Sequence, residues 1–159
     1  MPTTALTGAN PVLRRTAFLL AAVIVTSWLT GCERMRLDRE VDRLCAIDGG
    51  VKVFETVEVS QEVYADFLRS PARPLEVIFG ANYHLKSSTE VLVDGNPSML
   101  RFVRYVIRQT DGKVLGQVIS YARVGGDLPG LSHPSSYGCP PTEQLYLEHQ
   151  VFVKKGESK

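Results

Sequence analysis

The chain has 159 residues, of which 44% are hydrophobic and 22% are charged, and its formal net charge at pH 7 is +1. This near-neutral balance gives no electrostatic indication of nucleic-acid binding, which requires an excess of Lys and Arg. The length suits one domain of ordinary size with a genuine hydrophobic core.

The first 31 residues have the composition of an export signal. Residues 1–15 contain no acidic side chain and end in Arg14 and Arg15, and the apolar stretch AFLLAAVIV follows at 17–25. A basic segment, an apolar segment and small residues before a cleavage point are the parts of a secretory signal peptide. The apolar stretch is shorter than the roughly 20 residues that span a bilayer. We therefore predict a signal peptide that is removed.

Residues 29–32, with the sequence LTGC, resemble the lipobox of bacterial lipoproteins. The resemblance implies cleavage before Cys32, acylation of this cysteine and attachment to a membrane of the bacterial cell envelope, with the domain facing the periplasm. More than one acyl chain makes such attachment stable. Glu33, where an Asp would mark retention in the inner membrane of enteric bacteria, favours the outer membrane. The alternative is an uncleaved signal anchor in which Cys32 has no role.

Cleavage at this point leaves a single mature domain, 32–159. Removing Arg14 and Arg15 leaves 16 basic against 17 acidic side chains, a net charge of −1. The two remaining cysteines, Cys45 and Cys139, are an even pair in an oxidising compartment, and we predict that they form a disulfide. A metal site or a nucleophilic cysteine needs close partners, but the sequence has no CxxC motif and its histidines are scattered. No metal and no cofactor are predicted.

Two segments have helical patterns. Residues 33–50 combine an apolar stripe with charged pairs at salt-bridge spacing on the remaining, solvent-facing surface. The stripe consists of Leu37, Val41, Leu44 and Cys45, and the pairs are Arg34 with Asp38 and Arg36 with Glu40. Ser60 can cap a second, short helix over 61–69.

The rest of the domain is predicted to form mostly strands. Alternation predicts a strand at 51–59, where Glu55 either turns outward at a bulge or is paired inside. Further strands are predicted at 75–79, 83–93, 99–109, 114–124 and 143–155, with a turn at 94–97 and a hairpin tip at Asp111 and Gly112. The alternative for 99–109 is a helix whose arginines (Arg101, Arg104 and Arg108) would share one face and form an anion-binding patch.

Gly, Pro and Ser dominate residues 125–142, GGDLPGLSHPSSYGCPPT. A stretch this long without regular structure is often functional, and loops carry a large share of binding residues. We identify Asp127, His133 and Tyr137 as candidates for a partner-binding loop. The alternative is a packed Ω-like loop held by its prolines and by the bridge at Cys139.

No catalytic motif occurs in the sequence: GxSxG, HExxH, the P-loop and GxGxxG are all missing, and an enzyme is not predicted. Two alternatives remain. A cell-wall or lipid hydrolase would need Glu55 to converge with His84 or His149, although a histidine on the apolar face of the last strand is more typical of a core residue. A lysozyme inhibitor is the other, because some of these are small disulfide-bonded periplasmic lipoproteins; the VKKGE tail and the Ser-rich loop are similar to their motifs.

Three segments, CAIDGGVKVFETV, SYARVGGDLPG and HPSSYGCP, resemble a family of small proteobacterial lipoproteins. That resemblance implies a shared fold and no particular activity. From the residue patterns we expect an α+β domain, in which an N-terminal helix and a short second helix pack on one face of an antiparallel sheet of about five strands. The expected function is a non-enzymatic binding or accessory role in the envelope, with a lipid anchor on Cys32 and a protein or cell-wall partner.

Overall fold

The computed structural model describes residues 32–127 and 133–156. The predicted signal peptide, 1–31, lies outside these residues. In chain order the described elements are α1 (32–48), β1 (Gly50–Val53), β2 (Val57–Val59), α2 (Gln61–Arg69), α3 (Leu75–Phe79), β3 (Tyr83–Val93), β4 (Ser98–Arg108), β5 (Lys113–Val124), β6 (Ser136–Cys139), a 3₁₀ helix (Thr142–Gln144), α4 (Leu147–Val151) and β7 (Phe152–Lys154). The predicted α+β class is confirmed.

Five of the strands form one antiparallel sheet in the order β1, β5, β4, β3, with β6 also paired to β5. β1 pairs with residues 116–119 of β5 and β6 pairs with residues 121–124. These two short strands therefore follow one another along the same edge of β5, and β3 lies at the other end of the sheet. β2 and β7 form a separate two-stranded parallel sheet.

The helix α1 covers one face of the five-stranded sheet. Its apolar stripe buries Leu37 and Val41 against Val103 of β4 and Ile119 of β5. This is the stripe that the spacing of apolar residues predicts. The helix ends after residue 48.

Other helices cover the opposite face. Val118 precedes Ile119 in β5, so the two side chains point to opposite faces of the sheet. Val118 belongs to a second core, whose other buried members are Leu75, Val106, Leu115, Leu147, Val151 and Phe152. Helices therefore lie on both faces, and the prediction that they pack on one face is wrong.

A glycine lets α4 approach this opposite face, the second face of the sheet, closely. A Cβ atom at Gly116 would lie 2.9 Å from both Leu147 Cδ1 and Val151 Cγ2, closer than ordinary van der Waals contact. The helix α2 packs one layer further out, with the Phe67 ring centred 5.2 Å from that of Phe79 in α3.

Several predicted elements are confirmed. β3 and α2 have the predicted bounds, and Ser60 caps α2 by accepting the Val63 N–H at its Oγ, 3.4 Å away. β4 and β5 form the predicted hairpin, so the helix alternative for 99–109 is wrong. Because side chains alternate along β4, Arg101 lies on the α1 face and Arg104 on the other.

The predicted strand at 51–59 is two strands in different sheets. The N–H groups of Phe54 and Glu55 both donate to the Leu115 carbonyl, which ends β1 and turns the chain away from β5. Glu55 forms ion pairs with Arg108 and Lys113, both at 2.5 Å. Glu55 thus interrupts the apolar alternation just after the end of β1, as its position in the sequence suggested.

Two other predicted strands are wrong. Residues 75–79 form α3, which starts after Pro74 and buries Leu75 and Ile78, three residues apart. Residues 143–155 contain the end of the 3₁₀ helix, then α4 and β7. Leu147 and Val151 fit both a two-residue alternation and the i, i+4 spacing of a helix, and packing over Gly116 selects the helix.

Candidate functional site

Cys32 is exposed and belongs to no disulfide. The other residues of the predicted lipobox, 29–31, lie outside the described part of the chain, so acylation of Cys32 stays a prediction. Among the described residues, no helix is long and apolar enough to cross a membrane.

The predicted disulfide joins Cys45 to Cys139, with their Cα atoms 6.0 Å apart. It connects the last turns of α1 to β6, across a sequence separation of 94 residues. In the chain-entropy model, closing a loop of this length stabilises the fold by about 4 to 5 kcal/mol.

A buried arginine draws both ends of the 125–135 segment toward α1. Arg123, in β5, is only 1% exposed. Its Nε donates to Asp38 of α1 at 2.6 Å, and its Nη1 donates to the carbonyls of Gly125 and Ser135 and to Ser135 Oγ. A guanidinium with this many acceptors is satisfied, whereas removing it would take a donor from Asp38 and from the Gly125 carbonyl. The Ser135 carbonyl would still accept the Gly125 N–H, at 2.8 Å.

Asp127 and Tyr137 also have intramolecular partners. Asp127 accepts the Ser135 N–H at 2.5 Å and pairs with Arg34 of α1 at 3.4 Å. The bond from the Ser135 N–H is the main reason that the pKa of Asp127 is lowered. The Tyr137 hydroxyl donates to Asp42 of α1 at 2.8 Å, and this bond raises the pKa of the phenol.

His133 differs from these two candidates. Its side chain is exposed, and it forms no hydrogen bond or ion pair with the described part of the chain. The structure therefore places Asp127 and Tyr137 against α1 but does not bring His133 together with them. Residues 128–132 of the same loop lie outside the described residues. Whether the loop binds a partner stays a prediction.

The charged pairs predicted within α1, Arg34 with Asp38 and Arg36 with Glu40, have other partners in the structure. Arg34 and Asp38 reach the loop and β5 instead of each other. The ion pairs between residues of the helix are Arg36 with Glu33 and Arg43 with Glu40, both three residues apart. The surface of α1 is thus only partly solvent-facing, because one side of it holds the loop.

Within the described residues, helices cover only half of the second face of the sheet. The strand registers place three rows of side chains on it: Ser87, Arg104 and Val118; Thr89, Phe102 and Ser120; and Val91, Leu100 and Ala122. α4 packs over Val118 of the first row and over Gly116, which lies on the side of that row away from the other two rows. The last two rows form an open face, on which Phe102 is 37% and Val91 is 57% exposed.

A shallow depression of about 380 Å³ lies where the open face meets the covered half. Phe102, Val118 and Leu145 contribute to its apolar lining, and the hydroxyl-bearing side chains of Ser87, Thr89 and Ser120 also line it. Arg104 stands at its edge, where its Nη2 donates to the Leu145 carbonyl at 2.9 Å. An aromatic ring flanked by hydroxyls and a cation can bind an extended polar partner, but it offers no nucleophile paired with a base.

The residues of the hydrolase alternative are engaged separately. Glu55 is held by Arg108 and Lys113, and the bond from Lys113 followed by that from Arg108 lowers its pKa. His84 pairs with residue 107 in the sheet, so its side chain lies on the face opposite Arg108. His149 packs on an aromatic ring of α2, with ring centres 4.6 Å apart. Within the described residues, no group of three or more His, Cys, Asp or Glu is arranged to hold a metal ion.

Sequence reasoning missed the open face. The outward alternation of Val91, Phe102 and Ser120 was visible once strands were assigned. What could not be read from the sequence is that α4 covers only half of that face, because 143–155 was expected to be a strand.

Comparison with models of protein families, with curated proteins and with solved structures finds no match for this chain.

Proposed function

We propose that this chain is a lipid-anchored protein of the bacterial cell envelope with a non-enzymatic binding role. The LTGC sequence at 29–32 supports an anchor on Cys32, which is exposed and not consumed by the disulfide. A disulfide between Cys45 and Cys139 is in keeping with an oxidising compartment such as the periplasm.

The observation that carries the binding role is the open half of the second face. Exposed apolar residues on a monomer normally occur singly, whereas Phe102 and Val91 lie in neighbouring rows of one sheet with Leu100 between them. The flanking hydroxyls and Arg104 add donors and acceptors. This mixture suits a protein strand or a cell-wall segment better than a small apolar ligand.

The 125–142 loop is the alternative binding surface. Asp127 and the Tyr137 hydroxyl would have to leave Ser135 and Asp42 in order to bind a partner. His133 would leave no partner in the described part of the chain, so position 133 is used to test the loop.

The lysozyme-inhibitor alternative rested on the tail and on the Ser-rich loop. Val153 and Lys154 belong to β7, which pairs with β2, and Ser135 is bonded to Arg123 and Asp127. These residues have structural roles, so we rank this alternative below a general binding role. Inhibition of lysozyme by the purified chain would reverse that order.

Site-specific photo-crosslinking in intact cells tests the proposal. A benzophenone amino acid is placed at position 102 on the open face, at position 133 in the loop, or at position 47. Ile47 is the matched control, because it is an apolar residue of α1 that is 66% exposed. We expect an adduct from position 102 and none from position 47.

The same membranes give the mass of the chain itself. We expect a species that begins at Cys32 and is heavier by its acyl chains, and we expect Cys32→Ser to abolish both the processing and the added mass. An adduct from position 133 alone would move the binding site to the loop. A full-length, unacylated chain would overturn the anchor while leaving the adduct result to decide the binding role.

A further inference from the structure

The edge strand β3 is long and has no strand partner on its outer side among the described residues. It runs for 11 residues at the end of the sheet, and every residue from Leu85 to Val91 is exposed. Such an edge carries a row of unpaired N–H and C=O groups, which can pair with another strand.

The direction of these backbone groups can be assigned. The Gln109 N–H donates to the Asn82 carbonyl, so the peptide groups of residue 82 point toward β4. Backbone groups alternate in direction along an antiparallel strand. Even-numbered residues of β3 therefore bond to β4, and the odd-numbered residues 85, 87, 89 and 91 present their N–H and C=O groups to the free edge.

The order of side chains along this edge is complementary to itself. Residues 85–91 read LKSSTEV, and a two-fold axis through Ser88 brings each residue opposite one of matching character. Leu85 then faces Val91 of the second copy, Lys86 faces Glu90, and Ser87 faces Thr89. We propose that two copies of the chain pair along β3 in this antiparallel register, joining two five-stranded sheets into one.

The hydrogen-bond pattern is consistent with this register. In a symmetric pair about Ser88, odd-numbered residues face odd-numbered residues, so the free groups of Leu85 and Ser87 meet those of Val91 and Thr89 in the second copy. An axis between two residues would set odd against even, so the free groups of each copy would face residues whose own N–H and C=O groups point toward β4. Opposed Lys86 and Glu90 fall in the non-hydrogen-bonded pairs, where side chains are closest.

Charge selects this register over its neighbours. An axis through residue 86 or 90 would oppose Lys86 or Glu90 to its own copy. An axis through residue 87 or 89 would leave both charges opposite uncharged residues or His84, so only the axis through Ser88 sets Lys86 opposite Glu90. Like charges directly opposite one another are destabilising, and opposite charges are stabilising. Lys86 has no ion pair within the described chain, and Glu90, 62% exposed, has Arg101 at 3.6 Å. Both side chains can therefore reach the second copy.

Apolar burial points to the same arrangement. Leu85 is 39% and Val91 is 57% exposed, and both lie on the second face. Each would cover the other across the axis. Because this axis is perpendicular to the sheet, both α1 helices, and with them both Cys32 residues, lie on one side of the joined sheet, as two anchors in one membrane require. The open faces of the two copies become continuous on the other side.

Cross-linking through Ser88 tests the proposal. In the proposed pair, the two Ser88 Cα atoms lie about 4.5 Å apart, within the range that a disulfide spans. Ser88→Cys is made in the full chain carrying Cys32→Ser, so that Cys32 forms no bond. We expect a covalent dimer under mild oxidation that returns to monomer with reductant.

Lys86→Cys and Glu90→Cys in the same background are the matched controls. Each lies in the same exposed strand, but its copy would be about 13 Å away, too far for a bond. A monomeric Ser88→Cys chain, or equal cross-linking at all three positions, would overturn the proposal. So would adducts of Ser88→Cys in cells that contain a different protein and no dimer.

Charge reversal provides a second measurement without cysteines. Lys86→Glu or Glu90→Lys alone sets like charges opposite each other at both ends of the pair, and we expect each to weaken the dimer about tenfold or more in sedimentation equilibrium. The double variant restores opposite charges and should recover most of the affinity lost by Glu90→Lys. Equal weakening by the double and single variants would contradict the register.

Discussion

The two faces of the sheet are closed in different ways. The first is covered by α1 and connected to it at several points along the helix: Arg34 to Asp127, Asp38 to Arg123, Asp42 to Tyr137, Cys45 to Cys139 and Asp48 to Tyr121. The second is packed by α3 and α4 around Val118, but its other half, around Phe102, is open.

The difference separates the part of the molecule that holds the fold from the part that can bind. These five contacts from α1 connect residues 73 to 95 positions apart, so they fix the topology as well as the packing. The open half holds few such contacts. Substitutions there change the surface with little cost to stability, which is what a binding face needs.

Removing the disulfide should produce the largest change in stability. Cys45→Ser with Cys139→Ser is expected to lower the free energy of unfolding by about 2 to 5 kcal/mol, because the unfolded chain regains its freedom. The measurement is the midpoint of urea unfolding. Cys32→Ser is the control, since this exposed cysteine belongs to no disulfide and its loss should leave the midpoint unchanged. A midpoint that is indifferent to both the double substitution and reductant would refute the importance of this connection.

Two neighbouring residues of β4 sharpen the comparison of the faces. Val103 is 4% exposed beneath α1, and Phe102 is 37% exposed on the open face. We expect Val103→Ala to cost about 2 kcal/mol, from lost burial and the cavity left behind. Phe102→Ala removes a larger side chain but should cost less than about 1 kcal/mol. Urea unfolding of both variants checks the order, and a larger loss for Phe102→Ala would mean that the second face is closed after all.

The sequence predicts the sheet better than the helices around it. β3, β4 and β5 are predicted as strands from their composition and from the turns between them. In β4, whose arginines also have helical spacing, Val, Ile, Phe and Tyr together with the following Asp-Gly turn indicate a hairpin. The disulfide is predicted by counting the cysteines of a chain expected to be exported. These features depend on short-range chemistry that a single sequence displays.

The wrong predictions occur where helix and strand spacing coincide, or where the partner of a charged side chain is distant in the sequence. Leu147 and Val151 satisfy helix and strand spacing equally, and only the space above Gly116 decides between them. Asp38 has Arg34 at helical spacing but pairs with Arg123, 85 residues away, because a buried guanidinium needs a carboxylate more than an exposed one does. No local pattern reports that competition.

The smallest expected effect concerns a charged cluster at the hairpin tip between β4 and β5, away from α1. Bonds from Arg108, and then the Lys113 N–H, lower the pKa of Asp111 from an ordinary 3.8 to about 2. Between these values the unfolded chain binds a proton that the folded chain does not, so the stability due to Asp111 is complete above about pH 4 and lost as the pH falls toward 2.

Asp111→Asn should therefore be less stable than the parent at pH 6 and approach it as the pH is lowered to about 2, because the parent loses the advantage that the variant never had. Urea unfolding at several pH values measures this difference.

Asp94→Asn is the matched control: Asp94 is also an exposed turn residue, but its carboxylate accepts only the Gly95 N–H and forms no ion pair with the described chain. Glu55 shares Arg108, and its own lowered pKa should leave a residual acid dependence in Asp111→Asn. A stability difference between parent and Asp111→Asn that stays constant across this pH range would show that the charge of Asp111 contributes nothing to stability.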